Sequence, residues 1–469
     1  MNHAQFIQLC RCVARDIGLS GDGGTYFYPP PFLWKQRFTL RDVRLAWSRA
    51  FRKQQASPSG KINFGLYVHI PFCYSRCSFC FATSFPNLND DEHNLYVKCL
   101  EQEIRLLDFP KGAPIKTFNI GGGTPSALSE RNLEKLLGLV HRSFDLYACS
   151  QKSVEISPVN VTRRKMAILK DAGMDRVSIG VQSLDDKVLK SNTRWQPLEG
   201  VTDCYMNVRA AGFRCVNVDL MTGLPGQTLE SFRRTLAAVL RLRPDTVSIY
   251  PFRPQDTTLF YQSGRRLSSK DIALRSAMAQ EYVRIMDALG PSSTVNPNKT
   301  QEPRLMNQMD YYATQFNSSI IGIGYGAVSH AFSSLNYRKE ADYSNYIKRL
   351  SAGRFPLLSG YRLNAQTEMR AFLVRRLAKK GEVSLLEFRD IFGLFVEHVF
   401  CDEISFLKKL RRIEIKDNML RLVTDDPLDR EVYSKIFLGK ALLKQFADVI
   451  RRHKYRYRDI QLELLACYS

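Results

Sequence analysis

Short apolar runs rich in β-branched and aromatic residues alternate along the chain with longer amphipathic segments. The short runs predict strands at 66–70, 116–120, 154–157, 176–179, 216–220 and 246–250. The segments between them repeat apolar residues at helical spacing, between capping residues or glycines, which predicts helices at 90–107, 129–144, 162–172 and 228–242. Such strand–helix units in succession predict an α/β fold whose parallel sheet curls into a barrel or most of one, with helices outside.

The pattern changes near residue 365. Helices are predicted at 368–379 and 385–392, part of a third at 406–410, and a hairpin at 412–422 whose turn is Asp417-Asn418. This α+β succession is a winged-helix pattern, which binds DNA in some proteins and is a packing module in others.

These changes divide the chain into four predicted parts. Residues 1–60 are rich in aromatic residues and proline, end in the linker Ser57-Pro-Ser-Gly, and are interpreted as a loop or strap over the core. Residues 61–335 are predicted to form the barrel, 336–438 the winged-helix-like domain and 439–469 a basic helical tail.

The composition is that of a globular protein in a reducing compartment. Hydrophobic residues make up 44% of the 469 residues, and the sequence shows no apolar run of membrane-spanning length. Residues 1–20 lack the apolar segment of a signal peptide. Eleven cysteines are too sparse for a secreted disulfide framework, so we expect a cytoplasmic protein, as a monomer.

The formal net charge of +22 raises the question of an anionic partner. The excess Lys and Arg residues are spread over the predicted C-terminal helices, as on solvated helix faces, and this favours no nucleic-acid-binding surface. An acidic substrate, an anionic membrane surface or an acidic electron donor fits the same charge.

Three cysteines directly follow the first predicted strand with the spacing C-x3-C-x2-C. Thiolates of Cys73, Cys77 and Cys80 on one short loop suit a cubane iron–sulfur cluster that keeps one iron free for another ligand. Two alternatives stay open. One is a structural zinc site with His69 or His93 as the fourth ligand, although His69 fits a packed strand position; the other is buried free thiols.

Further polar or glycine-rich positions fall where predicted strands end. They are the glycine run 121–123 with Thr124, Glu155 in the third strand, Gln182 after the fourth, Arg194 beyond it, Asp219 in the fifth, and the segment Gly322–His330. Each has an ordinary structural interpretation: a tight turn, a partnered carboxylate or, for His330, a satisfied histidine. Together they predict a pocket at the carboxyl ends of the strands.

Residues 62–435 resemble one family. The resemblance rests on five motifs in this order: the cysteine loop, the glycine run, Gly180-Val-Gln-Ser, Asp219 with Gly223-Leu-Pro-Gly-Gln, and Gly322-Ile-Gly. The family is the oxygen-independent coproporphyrinogen III dehydrogenase-like family of radical S-adenosylmethionine (SAM) proteins. The resemblance implies a partial (β/α)6 barrel, a 4Fe-4S cluster on Cys73, Cys77 and Cys80, and two SAM molecules. It also implies a flavodoxin- or ferredoxin-like electron donor and a small-molecule substrate, apolar, aromatic or acidic.

The resemblance also assigns residues to the two SAM sites. Contacts with the SAM on the cluster are carried over to Tyr67, Gly122, Glu155 and Val328. Contacts with the second SAM are carried over to Phe79, Gly123, Thr124, Gln182, Arg194 and Asp219.

Two departures from the family pattern bear on the reaction. Members that oxidise coproporphyrinogen carry a further cysteine at the position of Ala82, and the haem-chaperone branch carries a histidine motif where this chain has Asn307–Tyr312. The sequence therefore favours transfer of a methyl or methylene unit from the second SAM to an unsaturated or aromatic acceptor. The alternatives are coproporphyrinogen dehydrogenation, non-enzymatic haem binding or delivery, and modification of a nucleic acid held by the winged helix.

Overall fold

The computed structural model describes residues 28–29, 33–56, 62–82, 84–86, 89–159, 161–254, 257–288, 318–424, 427–439 and 442. The first twelve strands are β1 (Asn63–Ile70), β2 (Phe72–Cys73), β3 (Phe85–Pro86), β4 (Ile115–Gly122), β5 (Gln151–Ile156), β6 (Arg176–Gln182), β7 (Cys215–Thr222), β8 (Thr246–Pro251), β9 (Ser318–Ile323), β10 (Val328–Ala331), β11 (Leu335–Lys339) and β12 (Leu357–Arg362). β2 and β3 pair with each other, and the other ten form one sheet in the order β12-β11-β10-β9-β1-β4-β5-β6-β7-β8.

Neighbouring strands from β9 through β1 and β4 to β8 run parallel, whereas β10, β11 and β12 continue the sheet antiparallel. β12 and β8 are the two edges, so the barrel is partial. Each predicted strand overlaps one of these observed strands, and the bounds of the two differ by a few residues at most. The prediction of an α/β fold built on a curled parallel sheet is confirmed.

The alternation of residues along β7 explains how the sheet faces both a core and a site. Val216, Val218 and Leu220 belong to the hydrophobic core, together with residues of the outer helices. Because successive side chains of a strand point to opposite faces, Asn217 and Asp219 face the interior of the barrel. The same period makes Glu155 face inward, between Val154 and Ile156 of the core.

Helices cover the outside of the parallel strands. They are α1 (Leu40–Gln55), α2 (Asp90–Leu107), α3 (Glu130–Ser143), α4 (Arg163–Asp171), α5 (Asp186–Ser191), α6 (Leu198–Ala210), α7 (Leu229–Arg241), α8 (Leu259–Gln262), α9 (Ser269–Ala288) and α10 (Tyr343–Ser351). Side chains of Asn89, Ser129, Thr162 and Thr228 cap the first turns of α2, α3, α4 and α7. The four predicted barrel helices are confirmed to within a residue or two.

The interpretation of residues 1–60 as a loop or strap is wrong over α1. Thr39 and Asp42 form a capping box there, and Val43, Ala46, Trp47 and Ala50 are buried. These apolar residues recur at helical spacing, so the amphipathic signal was present in the sequence. The buried Trp47 donates from its indole N–H to the Tyr337 hydroxyl at 3.1 Å, which ties α1 to β11.

A second hydrophobic core lies in the C-terminal part of the chain. Its elements are α11 (Ala365–Lys380), β13 (Glu382–Ser384), α12 (Leu385–Phe392), α13 (Val396–Val399), α14 (Cys401–Lys409), β14 (Ile413–Lys416), β15 (Met419–Leu422) and α15 (Pro427–Ser434), followed by a 3-10 turn at Lys435–Leu438. The three strands form a small sheet, and Asp417 and Asn418 both have positive φ in its hairpin turn. The predicted winged-helix-like α+β arrangement is confirmed.

The predicted domain boundaries stay predictions. The large sheet continues through β12 to Arg362, beyond the predicted end of the barrel at residue 335. Apart from residues 439 and 442, the predicted basic tail lies outside the described residues. Across the described residues, no helix combines the length and the apolar character that a membrane span requires.

Candidate functional site

A cavity of about 640 Å³ opens at the carboxyl ends of β1, β4, β5, β6 and β7. Except for Tyr67 and Val328, all the predicted site residues line it: Cys73, Cys77, Phe79, Cys80, Gly122, Gly123, Thr124, Glu155, Gln182, Arg194 and Asp219. A volume of this order accommodates ligands of the size of a nucleoside or a cofactor. The residues selected on sequence alone therefore meet in one place, while their individual roles stay predictions.

The three cysteines of the loop between β1 and β4 have free thiols. Cys73 Sγ lies 3.4 Å from Thr124 Oγ1, Arg194 Nη1 donates to Cys77 Sγ at 3.4 Å, and the Cys80 thiol donates to the Ala82 carbonyl at 3.9 Å. In the described part of the chain, no three His, Cys, Asp or Glu side chains are grouped as ligands of one metal ion. The cysteines of a cubane cluster each bind a different iron, so three sulfurs that face one cavity fit that group.

Burial makes the thiols of Cys73 and Cys80 weaker acids in the absence of a metal. It raises the pKa of Cys73, and it raises the pKa of Cys80 to about 11, with the nearby Cys77 adding to the effect. Metal binding to these sulfurs would therefore release protons.

The two histidines considered as a fourth zinc ligand are occupied elsewhere. His69 Nδ1 lies 3.0 Å from the Tyr67 hydroxyl, and burial, with a smaller contribution from Lys339, lowers the His69 pKa to about 4. The His93 ring stacks on Phe72 with centroids 4.2 Å apart. Both are packed histidines, as the strand pattern predicts for His69.

The glycine run after β4 allows three close approaches of the main chain. A Cβ atom on Gly121 would lie 2.7 Å from Glu155 Oε2, one on Gly122 would lie 2.6 Å from His69 Cε1, and one on Gly123 would lie 2.6 Å from the Phe72 carbonyl oxygen. Gly122 also has a φ of +111°, which other residues rarely adopt. No side chain other than hydrogen fits here without displacing the cysteine loop, β1 or Glu155.

Glu155 lies inside the barrel with its carboxylate accessible from the cavity. The Gly122 N–H donates to its Oε2 at 3.3 Å. Desolvation inside the barrel, followed by the charge of Asp219, raises the pKa of Glu155 to about 7. This carboxylate is suited to accept hydrogen bonds from a cationic ligand, because a positive charge would offset both the desolvation of Glu155 and the repulsion from Asp219.

A polar network holds Asp219 in place. Ser178 Oγ donates to Asp219 Oδ2 and Asn217 Nδ2 donates to Oδ1, both at 2.7 Å. Thr246 and Ser248 donate in turn to Asn217 Oδ1 at 2.6 and 3.1 Å. The carboxylate is thus fixed from below by neutral groups, while desolvation raises its pKa.

Gln182 and Arg194 form the adjoining wall. Gln182 has a φ of +67°, and its buried Oε1 has no hydrogen-bond partner among the described residues. Arg194 donates to the Gly180 carbonyl, to Gln196 Oε1 at 2.7 Å and to Cys77. An orphaned acceptor beside a fixed guanidinium is suited to a ligand with both donor and carboxylate groups.

Tyr67 and Val328 lie outside the cavity lining. Tyr67 is on β1 between Gly322 of β9 and Asn119 of β4, and burial raises its pKa well above the usual value. Val328 begins β10, where its carbonyl oxygen leaves no room for a Cβ atom on Gly322. Both adjoin the wall that carries His69 and Gly122, and their proposed contacts stay predictions.

Sequence reasoning missed several residues that support the site. Ser178 and Asn217 hold Asp219, Gln196 holds Arg194, and Trp195 lines the cavity while 65% exposed. Strand alternation could have identified Ser178 and Asn217. Ser178 lies on the same face of β6 as Gly180 and Gln182, and Asn217 lies on the same face of β7 as Asp219.

A buried ion pair was also missed. Glu103 and Lys339 are almost fully buried and 2.9 Å apart, and Glu103 Oε2 accepts from the Gly324 N–H at 3.1 Å. Lys339 donates to the Gly322 carbonyl. The pair therefore fixes the glycine-rich segment after β9 to α2. His330 Nδ1 lies 2.6 Å from Asn336 Oδ1, whereas its buried Nε2 lies 3.5 Å from Glu368 Oε1 and has no hydrogen bond among the described residues. The prediction of a satisfied histidine therefore holds for one ring nitrogen of His330 and not for the other.

The family description "Radical SAM superfamily" matches residues 67–239. An oxygen-independent coproporphyrinogen III oxidase of Helicobacter pylori is 26% identical over 397 residues, covering 81% of this chain and 85% of that protein. The haem chaperone HemW of Bacillus subtilis is 27% identical over 384 residues, covering 80% of this chain and 99% of that protein.

A solved structure supports the fold. The coproporphyrinogen III oxidase HemN of Escherichia coli, described as a radical SAM enzyme, superposes with a TM-score of 0.72 at 20% identity, over 90% of this chain and 98% of that one. The names of these three relatives refer to porphyrin oxidation or haem handling. The methyl or methylene transfer favoured by the sequence gains no support from them.

Proposed function

Because the chain belongs to the radical-SAM superfamily, and within it to the oxygen-independent coproporphyrinogen III oxidase-like family, we propose that it cleaves SAM to oxidise an anionic, tetrapyrrole-like substrate. One observation carries this proposal. A single cavity at the carboxyl ends of the strands is lined by the three cysteines, Gly122, Gly123, Glu155, Gln182, Arg194 and Asp219.

The chain's own residues would divide the work as follows. Cys73, Cys77 and Cys80 would hold a 4Fe-4S cluster, the cofactor that radical-SAM proteins use together with SAM. When bound, this cluster supplies the electron that splits SAM into methionine and a 5'-deoxyadenosyl radical. Around it, Gly122 and Glu155 would bind the first SAM, with Glu155 facing its ammonium group.

The opposite wall would bind the second SAM. Arg194 suits the carboxylate of such a ligand, and Asp219 suits its ribose hydroxyls or ammonium group. Gln182 Oε1, buried and without a partner among the described residues, would accept one further donor. Phe79 is buried beneath this wall and would exclude water from it.

Two observations support an anionic substrate. The relatives named above include coproporphyrinogen oxidases, whose substrate carries several carboxylates, and this chain has a formal charge of +22. Trp195 at the cavity wall offers an exposed indole face to a conjugated or aromatic ring.

Haem binding without turnover is a second candidate. The cysteine expected in coproporphyrinogen-oxidising members is Ala82 here, and the chain covers 99% of the B. subtilis haem chaperone. This departure weakens the assignment of coproporphyrinogen itself as substrate, without affecting the cysteines, the glycine run or the polar wall.

Anaerobic turnover separates the candidates. Iron- and sulfide-reconstituted protein is incubated with dithionite, SAM and coproporphyrinogen III, and products are quantified. 5'-Deoxyadenosine with carbon dioxide supports oxidation, whereas S-adenosylhomocysteine beside deoxyadenosine would show methylene transfer. Stoichiometric haem binding without deoxyadenosine would favour the second candidate.

The cluster assignment has its own test and control. Cys77→Ala should abolish iron retention and deoxyadenosine formation, whereas Cys401→Ala, at an exposed cysteine, should change neither. Stoichiometric zinc without iron uptake would contradict the assignment.

A further inference from the structure

A basic and aromatic surface lies on the outer side of the cysteine loop. Phe81 follows Cys80 directly and is 63% exposed. Among the described residues, the cavity lining includes Cys80 but not Phe81. The ring is therefore presented to the outside of the molecule.

Hydrogen bonds connect Phe81 to the first of three arginines. Thr257 Oγ1 donates to the Phe81 carbonyl at 3.0 Å, and Arg76 Nη2 donates to the Thr257 carbonyl at 2.9 Å. Thr193 Oγ1 donates in turn to the Arg76 carbonyl at 3.0 Å. The half-buried Arg76 and the main chain of Phe81 are thus both held by Thr257, two residues before α8.

The other two arginines follow α8, which packs on the loop from outside. The Phe260 N–H donates to the Ser78 carbonyl at 3.0 Å, and the Phe260 ring belongs to a small hydrophobic core with Cys77 and Phe79. The exposed Arg265 lies over this ring with its Cζ 4.5 Å from the centroid, and the exposed Arg266 lies over Tyr261 at 3.5 Å. One aromatic ring separates the Arg265 charge from the cysteine thiols.

We propose that the exposed Phe81, Arg265 and Arg266 form the docking surface for an acidic one-electron carrier protein of the flavodoxin or ferredoxin class. An exposed apolar centre with charges at its rim is the anatomy of a transient protein interface. The arginines provide charge complementarity to an acidic partner, and the chain's charge of +22 steers such a partner.

The proposal rests on the proposed function, since SAM cleavage needs one electron at the cysteines. In the transfer, the carrier is oxidised by one electron and the cluster on Cys73, Cys77 and Cys80 is reduced by one. The surface lies outside the cavity lining and its helix α8 packs on the loop that holds these cysteines, so an electron would enter through the loop without passing through the substrate cavity.

Charge reversal tests the surface. In the full-length reconstituted protein, the double variant Arg265→Glu/Arg266→Glu should raise the KM for flavodoxin hydroquinone about tenfold or more in deoxyadenosine formation, and flatten its dependence on salt. Dithionite-driven deoxyadenosine formation should be unchanged, because a small reductant needs no docking surface. Phe81→Ser should raise the KM for flavodoxin without changing the salt dependence.

A matched control has the same charge change on another face. Arg163 and Arg164 are adjacent, exposed arginines at the start of α4, so Arg163→Glu/Arg164→Glu should leave the KM for flavodoxin within about twofold. Equal effects of the two double variants, or no effect of Arg265→Glu/Arg266→Glu, would overturn the proposed surface.

Direct binding separates this proposal from the proposed function. Surface plasmon resonance with flavodoxin should detect weaker binding by Arg265→Glu/Arg266→Glu than by the parent chain, whether or not SAM is cleaved. Absence of SAM cleavage by the parent chain with dithionite contradicts the function, whereas unchanged flavodoxin binding by the variant contradicts the surface.

Discussion

The two walls of the cavity are built from different material. On the side of β1, β4 and β5, which we call the glycine wall, the main chain of Gly121, Gly122 and Gly123 packs against neighbours at distances that leave no space for a Cβ atom. On the side of β6 and β7, called the polar wall, the side chains of Gln182, Arg194 and Asp219 form the surface.

Because of this difference, the two walls should differ in their tolerance of amino-acid substitutions. At Gly123 an added methyl group would meet the Phe72 carbonyl of the main chain, which cannot move aside cheaply. At Gly121 and Gly122 it would meet the side chains of Glu155 and His69. A side-chain surface can be altered one group at a time while the sheet beneath it stays intact. Binding at Gln182 and Asp219 of the polar wall should therefore be separable from cluster binding, whereas binding at the glycine wall should not. Arg194 is the exception on the polar wall, because it donates to Cys77 Sγ.

The largest effect is expected at the glycine wall. A Cβ atom in Gly123→Ala would lie 2.6 Å from the Phe72 carbonyl oxygen and 3.0 Å from Cys73 Sγ. Overpacking of about 1–3 kcal/mol should displace the cysteine loop, so iron content after reconstitution and deoxyadenosine formation should both fall severely. Gly138→Ala, inside α3, is the control and should retain iron. Full iron content in Gly123→Ala would show that the glycine wall is not rigid.

Asp219→Ala should impair binding at the polar wall while leaving binding at the glycine wall intact. Loss of a charge-assisted hydrogen bond should weaken binding of the second SAM by about 1.5–3 kcal/mol, while the first SAM stays bound and uncoupled deoxyadenosine formation persists. Oxidised substrate should then be lost in larger proportion than deoxyadenosine. Asp219→Asn, which keeps an acceptor for Asn217 or Ser178, should be milder. Loss of iron and deoxyadenosine together would contradict two separable sites.

Sequence patterns predicted the residues that form the two walls better than the residues that support those walls. Strand alternation and chain order brought Glu155 and Asp219 to one cavity, because parallel strands end at the same edge of a sheet. The pairing of Glu103 with Lys339 depends on α2 lying against β11, which no local pattern encodes. Helix α1 is a different case, because its spacing was visible and the surrounding prolines and aromatic residues outweighed it.

A smaller effect is expected from protonation of Glu155 at the glycine wall. The pKa of Glu155 rises from 4.5 to about 7 on folding, so between these values the native state keeps a proton that the unfolded chain loses. The contribution of Glu155 to stability therefore falls as pH rises from about 4.5 to 7 and is constant above. In the absence of SAM, the thermal stability of Glu155→Gln relative to that of the parent chain should therefore increase as the pH rises across this range. Glu101→Gln, at an exposed position of α2, is the control for the loss of one carboxylate.

The smallest effect concerns the orphaned acceptor of the polar wall. Gln182 Oε1 is buried without a partner among the described residues, so Gln182→Met should stabilise the ligand-free protein by about 1 kcal/mol while it weakens binding of the second SAM. Gln196 is the matched contrast, because its amide donates to Ser183 O at 3.1 Å and accepts from Arg194. Gln196→Met should therefore destabilise the protein by about 1–3 kcal/mol. Thermal unfolding with and without SAM measures both. Destabilisation by Gln182→Met in the absence of ligand would mean that this acceptor is already satisfied, and the polar wall would then be a structural surface instead of a binding surface.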